Sequence, residues 1–308
     1  MRVFLTGGTG LVGNLLVRKL RERGDLVVLL TRRPDAVRLQ FGDGVSVLGG
    51  DPVQPGPWMD AIKDCDAVVH LAGAGIFNQR WSQAFKDEIY ASRVKGTDSV
   101  VAALGKPESR AKILISASAI GFYGPHDDEE LTEDSAPGND FLAKVCVDWE
   151  KAALPATLHG VRVVHLRTGI VLDANGGALA KMLTPFKMFV GGPIGSGKQW
   201  MSWIHNQDEV GLILFALDQA QLAGPLNAVA PHPVTNKEFG NVLGKVLGRP
   251  SFMPTPAFAL RVMLGEGAEI ITSGQKVLPK KALDAGYTFK FVDLEPALRE
   301  LLGRGTPG

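Results

Sequence analysis

The 308-residue chain is poor in cysteine: Cys65 and Cys146 are its only two. Two thiols cannot form the disulfide framework of a small secreted fold, so a reducing, cytoplasmic compartment is expected. Long apolar runs are missing too. MRVFLT leads straight into a strand-like stretch, so no secretory leader is expected, and GLILFAL (211–217) is too short to span a bilayer. Neither sign of charge is in excess, since Lys+Arg 33 against Asp+Glu 32 leave a formal +1. Nucleic acid and anionic membranes are therefore not expected as partners. The chain has no internal repeat and no low-complexity segment, and no metal site is expected. What is present is ordinary for a globular protein, with 45% hydrophobic and 21% charged residues. At roughly 150 residues per domain, the length suits one large α/β domain and a smaller lobe.

Apolar, β-branched runs recur at VFLT (3–6), LVVLLT (26–31), VSVL (45–48), AVVHLAG (67–73), KILISAS (112–118) and VRVVHLRTG (161–169). Unbroken runs of this kind suit strands buried on both faces of a parallel sheet. Helical spacing lies between them. Leu11, Leu15, Leu16 and Leu20 share a face before Gly24, and Phe85, Ile89 and Val100 mark a helix over 82–104. Repeated β-α-β units predict a doubly wound, Rossmann-type α/β fold.

The first strand-to-helix turn holds Gly7, Gly10 and Gly13. Glycines at this spacing let the backbone approach a pyrophosphate. Leu11 and Val12 then open a helix whose first N–H groups face the ligand, and Thr9 adds a hydroxyl. The second strand ends in Thr31-Arg32-Arg33-Pro34, where an NAD enzyme would place a carboxylate for the ribose hydroxyls. Arg32 and Arg33 suit the 2′-phosphate of NADP(H) instead. Asp51 is placed to meet the adenine, and Leu71, Ala72 and Gly73 to pass beside the adenosine ribose. Arg93 is a helix residue placed to reach the same pocket.

TGGTGLVG (6–13), HLAG (70–73) and SASAIGFYG (116–124) resemble the extended short-chain dehydrogenase/reductases, which include nucleotide-sugar epimerases and dehydratases. More narrowly, WSQAFKDEIYASRVKGT (81–97), DFLAKVCVDWE (140–150), GGPIGSGKQWMSWIH (191–205), NAVAPHPVTNKEF (227–239) and GQKVLPKKALDAGYTFKF (274–291) resemble an atypical branch of epimerase-family proteins. The likeness covers nearly the whole chain. It implies a nicotinamide-binding domain over 1–171 and about 205–232, with PLNAVAP (225–231) as the last sheet strand. A smaller substrate lobe would take about 172–204 and 233–303, and residues 304–308 would fray. It also implies backbone contacts to the nicotinamide at Thr168, Gly169 and Ile170, and a possible homodimer through the helix at 82–104.

GPIGSGKQ (192–199) is one residue from a phosphate loop, but Gln199 stands where magnesium needs a hydroxyl and no helix pattern follows. The resemblance makes this loop a wall of the substrate cleft, with Gln199, Trp203 and His205 as substrate contacts. Nucleotide-sugar enzymes often carry an arginine two residues before the equivalent of Trp203. Here that residue is Met201, which cannot pair with a diphosphate, and Lys198 is the nearby cation. For catalysis the resemblance calls for a serine, then a tyrosine four residues before a lysine. Ser118 matches the serine and Lys144 the lysine, but Asp140 occupies the tyrosine position and reads as a helix cap. Tyr123 is then the nearest phenol able to carry a proton. Two functions follow: an NADP(H)-dependent oxidoreductase or epimerase acting on a small polar carbonyl or hydroxyl substrate, or a nicotinamide-binding regulatory protein without turnover.

Overall fold

The computed structural model describes residues 1–77, 79–256, 258 and 265–304. Seven parallel strands form the central sheet: β1 (Arg2–Thr6), β2 (Leu26–Thr31), β3 (Ser46–Gly49), β4 (Ala67–His70), β5 (Ile113–Ala119), β7 (Arg162–Thr168) and β11 (Gly224–Ala228). Their spatial order is β11-β7-β5-β4-β1-β2-β3. The order runs outward in both directions from β1 and β4, so a crevice opens beyond the carboxyl ends of these two strands, where open α/β sheets bind ligands.

Alternation divides each strand between two cores. Val3 and Leu5 pack with Leu16, Leu20, Leu29, Ile115 and Leu166 on the face covered by α1 (Leu11–Glu22) and α6 (Asn206–Asp218). Phe4 joins Val28, Leu30, Val68, Val100, Leu104 and Leu114 on the face covered by α3 (Gln83–Leu104). Burial of each such side chain stabilises by about 1.5–3 kcal/mol, and both faces contribute, which is why the runs are apolar throughout rather than alternating. Helix ends follow local chemistry. Gly24 at φ +85° follows α1, the Ser82 hydroxyl accepts from the Phe85 N–H at the start of α3, and Asp140 accepts from the Leu142 and Ala143 N–H groups at the start of α4 (Phe141–Ala153).

A third core belongs to the smaller lobe. Leu179, Leu183 and Phe186 of α5 (Gly177–Lys187) meet Phe239 and Leu243 of α7 (Asn236–Leu247), Met201, Trp203, and Leu298 of the helix Leu294–Leu301. Residues 275–292, which the sequence reading assigns to this lobe, touch both cores: Phe291 packs on the third core, while other residues of the segment reach the sheet side. Lys276–Val277 pairs with β6 (Glu130–Leu131), and Ala282 and Phe289 join the α1/α6 core. Buried carboxylates hold the segment there: Asp208 accepts from Tyr287 Oη and the Lys290 and Phe291 N–H groups, and Glu133 from the Lys281 N–H. The expected frayed tail lies outside the described residues apart from Arg304. Among the described residues no helix is long and apolar enough to cross a membrane.

Candidate functional site

The turn between β1 and α1 adopts the shape its glycines permit. Gly7 sits at φ +72°, and its carbonyl accepts from the Gly10 N–H at 2.9 Å. A Cβ on Gly13 would come 2.2 Å from the Gly7 oxygen, so only glycine lets α1 pack against the turn. Gly10 is the N-cap and offers no side-chain acceptor, and the first helical turn has no acidic residue. The N–H groups of Leu11, Val12 and Gly13 and the positive end of the helix dipole are thus left for an anion. Thr9 is exposed beside them.

The β4 loop lies against this turn. A Cβ on Gly7 would fall 2.7 Å from the Leu71 carbonyl carbon, the Leu71 N–H donates to the Thr6 carbonyl, and the Ala72 N–H donates to Thr6 Oγ1 at 3.2 Å. Thr6 Oγ1 also shares a 2.7 Å hydrogen bond with His70 Nδ1. His70 is fully buried, and burial lowers its pKa to about 4, so the ring is neutral. Sequence reasoning did not single out Thr6 or His70. At the end of β2, Arg32 is largely exposed, 3.9 Å from Asp51, and Asp51 Oδ1 accepts from the Val53 N–H. Arg33 is exposed at the start of α2 (Pro34–Phe41). The turn, both arginines, Asp51 and the 71–73 loop thus come together along one edge of the crevice.

The three catalytic candidates do not assemble there. Ser118 is 4% exposed and its hydroxyl donates to Glu150 Oε1 at 2.7 Å. Glu150 is gripped by Arg167 through two further bonds of 2.8 and 2.9 Å. Tyr123 is unexposed. Its Oη donates to Asn227 Oδ1 at 2.7 Å and accepts from Arg167 Nη1 at 3.0 Å. Burial raises the phenol's pKa despite the adjacent guanidinium. Both hydroxyls are inside a buried polar network and face no cleft. Lys144 is exposed on α4. At about 100° per residue it lies opposite Leu142, Cys146 and Glu150, the side of α4 that meets Gly121, where a Cβ would lie 3.5 Å from Leu142 and 3.8 Å from Cys146 Sγ. The inward position one turn after Leu142 is therefore Cys146. The tyrosine–lysine spacing led instead to Lys144, which the helix turns outward. Cys146 is not a nucleophile, because burial pushes its thiol up to about 12.

The substrate candidates are bracing residues. Gln199 Nε2 donates to the carbonyls of Ile194 and Ile271. Trp203 is unexposed and donates to the His232 carbonyl. His205 caps α6 by accepting the Gln207 N–H at Nδ1, which leaves Nε2 to donate to Glu300, and it stacks on Phe291 at 3.8 Å. Met201 is buried against Asn236 rather than open to a ligand. The 192–199 loop runs into the short strand Trp200–Met201, not a helix, so the phosphate-loop pattern has no structural counterpart.

At the end of β7 the Gly169 and Ile170 N–H groups already donate to the Ala228 and Ser202 carbonyls. Thr168 is half-buried, and its hydroxyl donates to Glu209 Oε1 at 2.8 Å. Arg93 reaches from α3 to the β4 loop, donating to the carbonyls of Ala74 and Ile89, with its guanidinium 5.2 Å from the Trp149 ring. Among the described residues no His, Cys, Asp and Glu grouping could hold a metal ion.

Proteins similar in sequence match this chain over nearly its whole length. Epimerase family protein SDR39U1 homolog of Arabidopsis thaliana, described as chloroplastic, is 42% identical over 304 residues, spanning 98% of this chain and 87% of the relative. Epimerase family protein YfhF of Bacillus subtilis is 38% identical, spanning 98% of each chain. A crystal structure of human epimerase family protein SDR39U1 (isoform 2) with NADPH superposes with a TM-score of 0.86 at 35% identity, covering 98% of this chain and 99% of that one. Residues 255–301 match a domain of unknown function, DUF1731. With residues 3–228 matching its family model, the chain belongs to the NAD dependent epimerase/dehydratase family.

Proposed function

We propose that the protein is an NADP(H)-dependent oxidoreductase or epimerase of the extended short-chain dehydrogenase type, acting on a small polar carbonyl or hydroxyl substrate. The observation that carries the cofactor half is the β1–α1 turn with uncapped N–H groups, set beside a β2 end that presents Arg32 and Arg33 and no carboxylate. The residues fit the group. The first turn of α1 would hold the pyrophosphate, and one or both arginines would take the 2′-phosphate. The human relative crystallised with NADPH supports this reading.

A bound nicotinamide supplies or accepts a hydride. Ala119, Ile120 and Leu142 are only partly buried, and the Tyr123 phenol, held by Asn227, is not free to hand over a proton. Ser118 and Tyr123 are spent on Glu150, Asn227 and Arg167, so proton transfer to or from the substrate oxygen falls to water. That same observation favours a second reading, a nicotinamide-binding regulatory protein with weak or no turnover.

Cofactor preference tests the proposal. A lost charge-assisted hydrogen bond is worth about 1.5–3 kcal/mol, so Arg33→Ser should weaken NADPH by about tenfold or more and leave NADH nearly unchanged. Fluorescence titration of both cofactors reads this out, and equal affinities in the parent protein would overturn it. Oxidation of NADPH across a panel of carbonyl compounds separates the enzyme from the regulator.

A further inference from the structure

Among the described residues Phe189 is the one non-glycine residue with a positive φ, at +63°. It follows Met188, the C-cap of α5. The Val190 N–H donates to the Pro185 carbonyl and the Phe189 N–H to the Phe186 carbonyl. In this closing pattern the left-handed position is most often glycine. A bulky side chain there is strained. Packing does not explain the strain: Phe186 fills the third core, whereas Phe189 is 56% exposed. An aromatic ring held outward against its backbone preference points to a use for the ring.

Phe189 has apolar company. Met188 and Val190 flank it, and all three are exposed, as are Phe252 and Met253. The two segments lie backbone to backbone: the Met253 N–H donates to the Gly191 carbonyl, and a Cβ on Gly192 would come 2.2 Å from the Met253 oxygen. Single exposed apolar residues are ordinary, but a cluster built from two joined segments is not. Charge around the cluster is one-sided. Residues 174–207 and 239–265 contain no Asp or Glu, although the totals for the chain nearly cancel. Lys187 directly precedes Met188, and the Arg249 guanidinium lies 4.3 Å from the centre of the Phe189 ring. Both cations are exposed, and neither has a carboxylate partner among the described residues, whereas Lys245 is paired with Glu295.

We propose that this cluster is a peripheral docking surface for an anionic lipid bilayer. Met188, Phe189, Val190, Phe252 and Met253 enter the headgroup boundary, and Lys187 and Arg249 meet the lipid anions. Basic side chains beside apolar ones bury their stems and keep their charged heads at the polar level. The near-zero net charge of the whole chain conceals this local imbalance. Charge complementarity selects the occupant. A second copy would set the patch against itself across a two-fold axis, cation facing cation. A nucleic acid would use the cations but leave Met188, Val190 and Met253 in water. The proposal does not depend on the cofactor reading. α5 begins beside α1, where a Cβ on Gly176 would lie 2.9 Å from Leu11 Cδ1, and it runs 11 residues, about 16 Å, to the cluster. The surface therefore stands one helix length from the β1–α1 turn.

Flotation of the full chain with two kinds of vesicle tests this: phosphatidylcholine alone, and phosphatidylcholine with about 30% phosphatidylglycerol. The parent is expected to bind the anionic vesicles at least about tenfold more tightly, and to lose most of that preference in about 0.5 M salt. Lys187→Gln combined with Arg249→Gln should remove the preference. Phe189→Gly should weaken binding to the anionic vesicles by about fivefold or more, with a urea midpoint equal to or above that of the parent, because glycine relieves the left-handed strain. Phe252→Ser, at a position without that strain, should repeat the loss of binding, and it decides alone should Phe189→Gly not fold. No vesicle binding by the parent, equal binding to the two compositions, or binding unchanged in both aromatic variants would overturn the proposal. A lowered midpoint with intact vesicle binding in Phe189→Gly would also overturn it, by making the ring a packing residue. So would a dimer in sedimentation that Phe189→Gly disperses, which gives the patch to a second copy. Binding to a DNA duplex that Phe189→Gly keeps and the lysine–arginine variant loses would give the cations to nucleic acid and overturn it likewise.

Discussion

Glu209 carries its carboxyl on the first turn of α6 at 1% exposure. Oε1 accepts from Thr168, while Oε2 is buried with no hydrogen-bond partner among the described residues. Burial pushes its pKa from 4.5 up to about 8, and the Thr168 hydrogen bond opposes that rise. A raised carboxyl pKa means that the folded protein keeps a proton which the unfolded chain has released. The stability this group contributes is therefore complete below about pH 4.5 and is lost as pH climbs toward 8. At about 1.4 kcal/mol per unit the sum is on the order of a few kcal/mol. Glu209→Gln should unfold like the parent at pH 4.5 and be more stable than it at pH 8, by urea denaturation at both. A constant difference across that range would show that the carboxyl is ionised in the fold.

At the scale of one element, the β1–α1 turn separates a binding role from a packing role three residues apart. A Cβ at position 10 meets only the Gly7 carbonyl oxygen, at 3.2 Å, whereas one at position 13 meets the same oxygen at 2.2 Å. Gly10→Val should therefore abolish NADPH binding with thermal unfolding shifted by only a few degrees. Gly13→Ala should destabilise the protein itself by about 1–3 kcal/mol through forced overpacking. Normal NADPH affinity in Gly10→Val would remove the turn from the cofactor site. The turn was legible in the sequence because its constraint is local: three glycines between an apolar run and an amphipathic helix. The Asp140 cap of α4 was legible for the same reason. Lys144 was not, since spacing along a helix fixes which residues share a face but not which face turns inward.

Across the whole molecule, a buried polar network ties together parts of the chain far apart in sequence. Arg167 of β7, with a side chain 4% exposed, binds Glu150 of α4 and Tyr123 and lies 3.4 Å over the Phe122 ring. Tyr123 continues to Asn227 of β11. Asn227 donates to Glu133 through its N–H and to the Leu278 carbonyl through Nδ2, which ties in the C-terminal segment. Removing one partner of a buried pair leaves the other charge uncompensated, so Glu150→Ala should cost about 3–5 kcal/mol. Glu150→Leu combined with Arg167→Met should recover much of that loss, because two charges then leave the interior together. Equilibrium unfolding in urea measures both, and a cost below about 1 kcal/mol for the single change would show that the pair is solvated.

The sequence by itself determined six apolar runs suited to a parallel sheet, the glycine turn and the arginine pair after β2. Each is written in contiguous residues whose period or conformational freedom acts locally. Only the tertiary structure decided which polar groups face the crevice. Ser118 follows Leu114 and Ser116 in the strand alternation, so it turns toward α4 and Glu150 rather than with Ala117 and Ala119. The partner of Tyr123 is Asn227, 104 residues away. Periodicity along the chain specifies a face, but which face becomes interior depends on elements that meet only when the sheet and its helices pack together.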